Sequence, residues 1–224
     1  MFKNLISFLK GKDFLAEVLG QFEEMIDNAQ FMFNSSCDKI INNNEEPGLK
    51  EKIFETDKKI NENQRNIRKR IVEHLTIQPM LEVNACLILM SVTKDAERLG
   101  DYSKNLFQTG EMIDRPLDEK VYKELFDGLN QEIFSMFDST RRAFVESNNI
   151  EANTTLSNKK RIVKECDQII EKLAKGELSV NHSVCLALTA RYYKRIAAHL
   201  SNIATAVVLP ITDLDYFDET RMNG

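Results

Sequence analysis

The stretch DAERLGDYSKNL, Asp95 to Leu106, can be laid without gaps on YYKRIAAHLSNI, Tyr192 to Ile203. Arg98 then falls on Arg195, Asn105 on Asn202, and the apolar pair Leu99 and Leu106 on Ile196 and Ile203. Alone the match is thin. Its weight comes from position, because each stretch closes a run of three successive helical patterns. The expected fold is all-α: two tandem antiparallel three-helix-bundle repeats, joined near Arg115-Pro116 through short loops.

Working outward, apolar residues recur at helical spacing through nearly the whole chain. A first helix is expected from about Asp13 to Ile41, with Phe14, Val18, Phe22, Met25, Ala29, Met32 and Phe33 along one stripe. Asn42-Asn43-Asn44 and Pro47-Gly48 end it. A second runs from Leu49 to Thr76, and Gln78-Pro79 turns the chain into a third that reaches Met112. Pro116 opens a fourth helix to Val145, and a fifth spans Ala152 to Ala174. A sixth runs from Ser179 or Asn181 to Val208 and stops before Pro210. The chain divides into an amphipathic segment 1–12, a first repeat 13–114, a second repeat 115–209 and an acidic, frayed tail 210–224.

Composition agrees. Eight glycines, four prolines and no tryptophan in 224 residues leave long helices uninterrupted. A net charge of -5, with no aromatics interleaved among basic residues, argues against nucleic acid as a partner. Cys37, Cys86, Cys166 and Cys185 lie far apart in apolar helical contexts, as buried free thiols in a reducing cytoplasm would. No apolar run approaches the roughly 18 residues of a membrane span. The start, MFKNLISFLKGK, lacks a cleavage site and reads as a helix packed on the body or a weak membrane-surface anchor. Packing is the favoured reading, since four apolar side chains anchor poorly; peripheral membrane contact stays open.

The chemistry concentrates in the third helix. Glu97 and Asp101 are four apart and stack on one face, Asn105 continues that face, and Asp95 lies off it. Folding the hairpin about Gln78 brings residue 57 level with residue 99, so Asp57 is expected opposite Glu97 and Asp101, with Glu55 about one turn away. Three facing carboxylates are costly unless neutralised. One answer is a hard cation held by oxygen ligands. The other is a solvated acidic face, or pairing with Arg98, Lys58 or Lys94. Acid–base catalysis lacks its usual company: no histidine, nucleophile or phosphate-cradling glycine loop accompanies these carboxylates, and His74, His182 and His199 are scattered.

DAERLGD followed by Asn105 resembles the signature of the PhoU family, in which an E-x-x-x-D step on a helix precedes an asparagine one turn on. The upstream IFETDKKINENQ and the turn IQP resemble that family's preceding helix and hairpin. The resemblance is specific from Ile53 to Leu106 and weaker from Ile162 to Val208. It implies a two-repeat helical bundle that binds a metal ion on the E-x-x-x-D surface, with Glu97 and Asp101 as ligands, Asp57 completing the site and Asn105 in support. The ion would be divalent or ferric (Mg, Mn, Ca, Zn or Fe). It further implies a cytoplasmic negative regulator of phosphate uptake, not an enzyme, that touches a phosphate ABC transporter ATPase and a phosphate-sensing histidine kinase. Accessory proteins of other phosphate carriers, such as a sodium–phosphate cotransporter, share such domains, and a metal-free helical interaction module is a further reading. Apolar stripes on more than one helix face make a homodimer the expected assembly.

The second repeat departs from the signature. Lys194 stands where the first acid belongs and Ala198 where the second does, while Arg195, His199 and Asn202 remain. A turn centred near Leu178 would set residues 194–198 opposite 158–162, with Lys159, Lys160 and Arg161. That predicts a basic cluster, which is either an anion or acidic-partner site or a solvated face.

Overall fold

Short polar caps and left-handed turns set the helix boundaries. The computed structural model describes residues 13–43, 46–78 and 82–214. Among the described residues there are seven helices: α1 (Asp13–Asn42), α2 (Leu49–Ile77), α3 (Val83–Glu111), α4 (Glu119–Phe126), α5 (Leu129–Glu146), α6 (Asn149–Lys175) and α7 (Val180–Val208), with a 3-10 turn at Ile211–Asp213. Gly48 enters α2 at φ 80, a left-handed conformation that glycine adopts without Cβ strain. The Asn148 side chain accepts from the Ile150 and Glu151 amides at the start of α6, and Ser179 accepts from the His182 amide at the start of α7.

The expected fourth helix is two. Asp127 (φ 37) and Gly128 (φ 82) are both left-handed, so α4 ends where the Asp127 amide bonds to the Lys123 carbonyl, and α5 begins afresh at Leu129. The Asp-Gly pair is a turn signal that the apolar periodicity on either side masks. The amphipathic segment 1–12 lies outside the described residues, as do 215–224 of the acidic tail. The beginning of that tail is not frayed: Ile211 and Leu214 pack on the core.

Helices α1, α2 and α3 pack as the first repeat and α5, α6 and α7 as the second, while α3 meets α7 and α1 meets α5 across the join. The repeats share one core. Phe22 packs at a tilt on Phe144 with centroids 4.7 Å apart, and Phe33 on Phe137 at 5.6 Å. All four rings are buried, each contributing about 1.5–3 kcal/mol by leaving water, so the halves do not separate cheaply. Tyr193 is fully buried among Phe33 and Phe126, and its hydroxyl meets the Tyr122 hydroxyl at 2.7 Å and Cys37 Sγ at 3.1 Å.

The seam between α3 and α7 carries the internal symmetry of the chain. Asp95 touches His199, and Tyr102 packs against Tyr192 with centroids 6.1 Å apart. In the gapless alignment Asp95 corresponds to Tyr192 and Tyr102 to His199. Exchanging the repeats therefore turns one contact into the other, which is the behaviour of a pseudo-twofold axis.

Candidate functional site

Helices α2 and α3 come close enough to share charges because Gly100 has no side chain. A Cβ built there would stand 2.8 Å from Ile60 Cδ1. Ile60 is thus level with Gly100, and the hairpin centre is residue 80, not 78. Residue 82 still precedes the first turn of α3, so the loop is longer than the proline alone indicates. A shift of two at the centre becomes about four along the facing helix. Asp57 accordingly faces Lys104 rather than standing midway between Glu97 and Asp101.

Lys104 Nζ donates to Asp57 Oδ2 at 2.7 Å and to Asp101 Oδ1 at 3.3 Å. Arg98 donates to the other oxygen of Asp101 at 3.0 Å and approaches Glu97 at 3.7 Å. Asn61 reaches Asp57 at 3.5 Å from one turn along α2. The side chains of Lys104, Asp57 and Asp101 are 20%, 13% and 25% exposed, so the pairs lie half inside the surface, where screening is incomplete. A depression lined by Asp57, Asn61, Gln64 and Arg65 opens beside them.

The electrostatics are those of a cluster held near neutrality. The Glu97 carboxyl titrates above the ordinary range, chiefly because burial penalises its charge and then because of Asp101, with Arg98 and Arg68 pulling down and Asp57 pushing up. For Lys104, burial opposes the charge, but the hydrogen bond and charge of Asp57, aided by Asp101, outweigh it and raise the pKa.

Of the three expected ligands, Glu97 and Asp101 lie one turn apart on α3 and Asp57 stands on the neighbouring α2. Asp57 and Asp101 meet at the Lys104 ammonium, while Glu97 lies beside Arg98. Among the described residues no group of three or more His, Cys, Asp or Glu side chains is disposed to hold a metal ion. Both Asp101 oxygens and one Asp57 oxygen already accept from cations, so the residues present do not fit a metal centre without breaking those pairs. Asn105 makes no side-chain hydrogen bond to them; its carbonyl accepts from Thr109. Glu55 is exposed. Of the alternative cations, Arg98 joins the cluster, whereas Lys58 pairs with Glu62.

The expected basic cluster of the second repeat is also rearranged. Lys194 Nζ bonds both oxygens of Asp167 at 2.7 Å. Residue 194 therefore faces 167 and not 162: the turn centres near residue 180.5, and that offset of 2.5 doubles to five on the facing helix. Arg161 pairs with Glu132 and with Glu165, and Lys159 and Lys160 are engaged as well. Lys194 and Arg161, two cations of the expected cluster, are thus held by carboxylates.

Two features escaped the sequence reading. Lys104 is three residues beyond Asp101, so helical spacing alone could have marked it as a neighbour. The other is a buried polar knot at the repeat seam: Asp95 Oδ1 accepts from His199 Nδ1 at 2.7 Å and from Asn202 Nδ2 at 3.0 Å, and the His199 ring stacks on Tyr102 with centroids 5.5 Å apart. Asp95 lies off the Glu97 face: that face looks toward α2, while Asp95 looks toward α7.

The PhoU domain family matches residues 1–109 and 127–207, one segment in each repeat. No curated protein sequence matches the chain. Among solved structures, the phosphate transport system regulatory protein PhoU from Streptococcus pneumoniae is similar, with a TM-score of 0.68 and 18% identity over 93% of this chain and 95% of that one. PhoU from Pseudomonas aeruginosa is similar as well, with a TM-score of 0.67 and 18% identity over 95% of this chain and 99% of that one. At such identity the structures attest the fold, while the family match extends over both repeats. The chain, with its two helical repeats about a pseudo-twofold seam, belongs to the PhoU family.

Proposed function

We propose that this protein is a cytoplasmic, non-catalytic regulator of phosphate uptake that acts by touching other proteins. The observation that carries the reading is the PhoU match in both repeats, together with a similar structure, covered over 95% of its chain, whose name is that of a phosphate transport regulator. Within the family resemblance, its partners are a phosphate ABC transporter ATPase and a phosphate-sensing histidine kinase, and its effect is negative. Two features support a surface-acting role. No helix among the described residues is long and apolar enough to cross a membrane. Exposed apolar side chains gather at both hairpin ends, Val72, Ile77 and Leu87 at one and Val180 and Val184 at the other, where a partner or a second copy in a homodimer would cover them.

A second reading is favoured by the altered second repeat, in which Lys194 and Ala198 replace the acids of the signature. On that reading the chain serves another phosphate carrier, such as a sodium–phosphate cotransporter. Deleting the gene in its host and measuring phosphate uptake under phosphate-replete conditions tests both. Uptake that escapes repression, together with recovery of an ABC-type ATPase on the tagged protein, supports the first reading. Recovery of a different carrier supports the second, and unchanged uptake with no transporter recovered refutes the regulatory role.

A further inference from the structure

We propose that Lys104 is the built-in cation of the first repeat's carboxylate cluster, so that this protein dispenses with the metal ion its family resemblance implies there. The inference concerns the site itself and stands whichever transporter the protein serves.

A metal ion on an E-x-x-x-D helix face would neutralise crowded carboxylates and tie α3 to α2. Lys104 does both. It rises from α3, crosses to Asp57 on α2 at 2.7 Å and returns to Asp101 at 3.3 Å. Arg98 caps the remaining Asp101 oxygen at 3.0 Å and lies 3.7 Å from Glu97. Glu97 also feels Arg68. Three carboxylates thus face three cations. Hard cations are drawn by uncompensated oxygen charge and must shed tightly held water on binding. A neutral cluster offers little return for that, and entry would expel a half-buried ammonium from its partners.

The second repeat shows the same solution reached from a different position. Lys194, aligned with Glu97 rather than with Lys104, ties α7 to α6 by meeting both oxygens of Asp167 at 2.7 Å. Each repeat therefore closes its last helix on the preceding one with a lysine–aspartate clamp. The two lysines do not correspond in the internal alignment, so they are not one inherited residue. Only their role is common: a fixed positive charge between the last helix of the repeat and its neighbour.

The test uses the full chain, stripped with chelator and then equilibrated with manganese(II), read by elemental analysis and thermal unfolding. Wild type should retain only traces of manganese, and its Tm should move by less than about 1 °C with chelator or with millimolar manganese. Lys104→Ala should bind about one equivalent and gain several degrees in Tm from the metal, and D101N added to it should abolish both effects. Wild type carrying stoichiometric manganese that an E97A/D101A variant loses would overturn the proposal. So would Lys104→Ala binding none. If Lys104→Ala does not fold, K104Q with and without D57N takes its place. Neutralising Asp57 should then recover most of the Tm lost by K104Q, and no recovery would refute the clamp.

Discussion

His199 Nδ1 and Asp95 Oδ1 meet at 2.7 Å across the seam between the two repeats, at the place where Tyr192 and Tyr102 meet in the symmetry-related half. Asp95 is buried, and its Oδ1 accepts from Asn202 as well. Removing His199 would leave a buried carboxylate with one amide donor. We predict that His199→Ala costs about 1–3 kcal/mol in urea unfolding, because a buried acceptor that loses a partner forfeits its desolvation compensation. D95N/H199A together should cost less than the sum of the single changes. Strict additivity would mean that the pair does not hold the seam.

Tyr193 presents the same logic in the apolar core. Its hydroxyl joins Cys37 and Tyr122, both buried, and burial pushes the Cys37 thiol up to about 12 despite the Tyr193 hydrogen bond. Tyr193→Phe keeps the ring contacts with Phe33 and Phe126 but strands the Tyr122 hydroxyl. The expected loss is about 1–2 kcal/mol, with the unfolding slope unchanged. A stability equal to wild type would show that Tyr122 finds another partner.

Glu97 gives a pH dependence of known sign. Its folded-state pKa lies above the ordinary 4.5, principally through burial and next through Asp101. The folded state holds this proton to higher pH than the unfolded chain does, so the contribution is favourable below 4.5 and is lost as pH rises through the folded-state value. Glu97→Gln lacks that loss. Its urea midpoint relative to wild type should therefore rise between about pH 4 and pH 7. A relative fall over that interval would contradict the assignment.

Two glycines should answer alanine in opposite ways. Gly20 is exposed in α1 and a Cβ there meets nothing within 4 Å, so Gly20→Ala should stabilise by about 0.5–1 kcal/mol. Gly128 sits at φ +82 between α4 and α5, where alanine is strained, and Gly128→Ala should destabilise by about 1 kcal/mol or more. Thermal unfolding of both reads the signs directly. Stabilisation by Gly128→Ala would mean that the Asp127-Gly128 break is dispensable.

Much of this protein was written along the chain. Helix periodicity, turn residues and the match of Asp95–Leu106 to Tyr192–Ile203 are local properties, because side-chain spacing on a helix follows from its 3.6-residue turn and caps act within a few residues. They determined the helices to within a few residues, apart from the break at Asp127-Gly128, and with them the two repeats and the presence of Asp57, Glu97 and Asp101 on facing helices. Tertiary structure alone decided what those carboxylates meet. Register across a hairpin depends on loop geometry, and a displacement of about two residues at the turn moved Asp57 onto Lys104 and Lys194 onto Asp167. The pairing of Asp95 with His199 spans 104 positions and exists only because the two repeats dock about a common axis. A sequence states which charges are present. Which of them neutralise one another is settled by packing, since Coulomb energies change over a few ångströms that no local rule specifies.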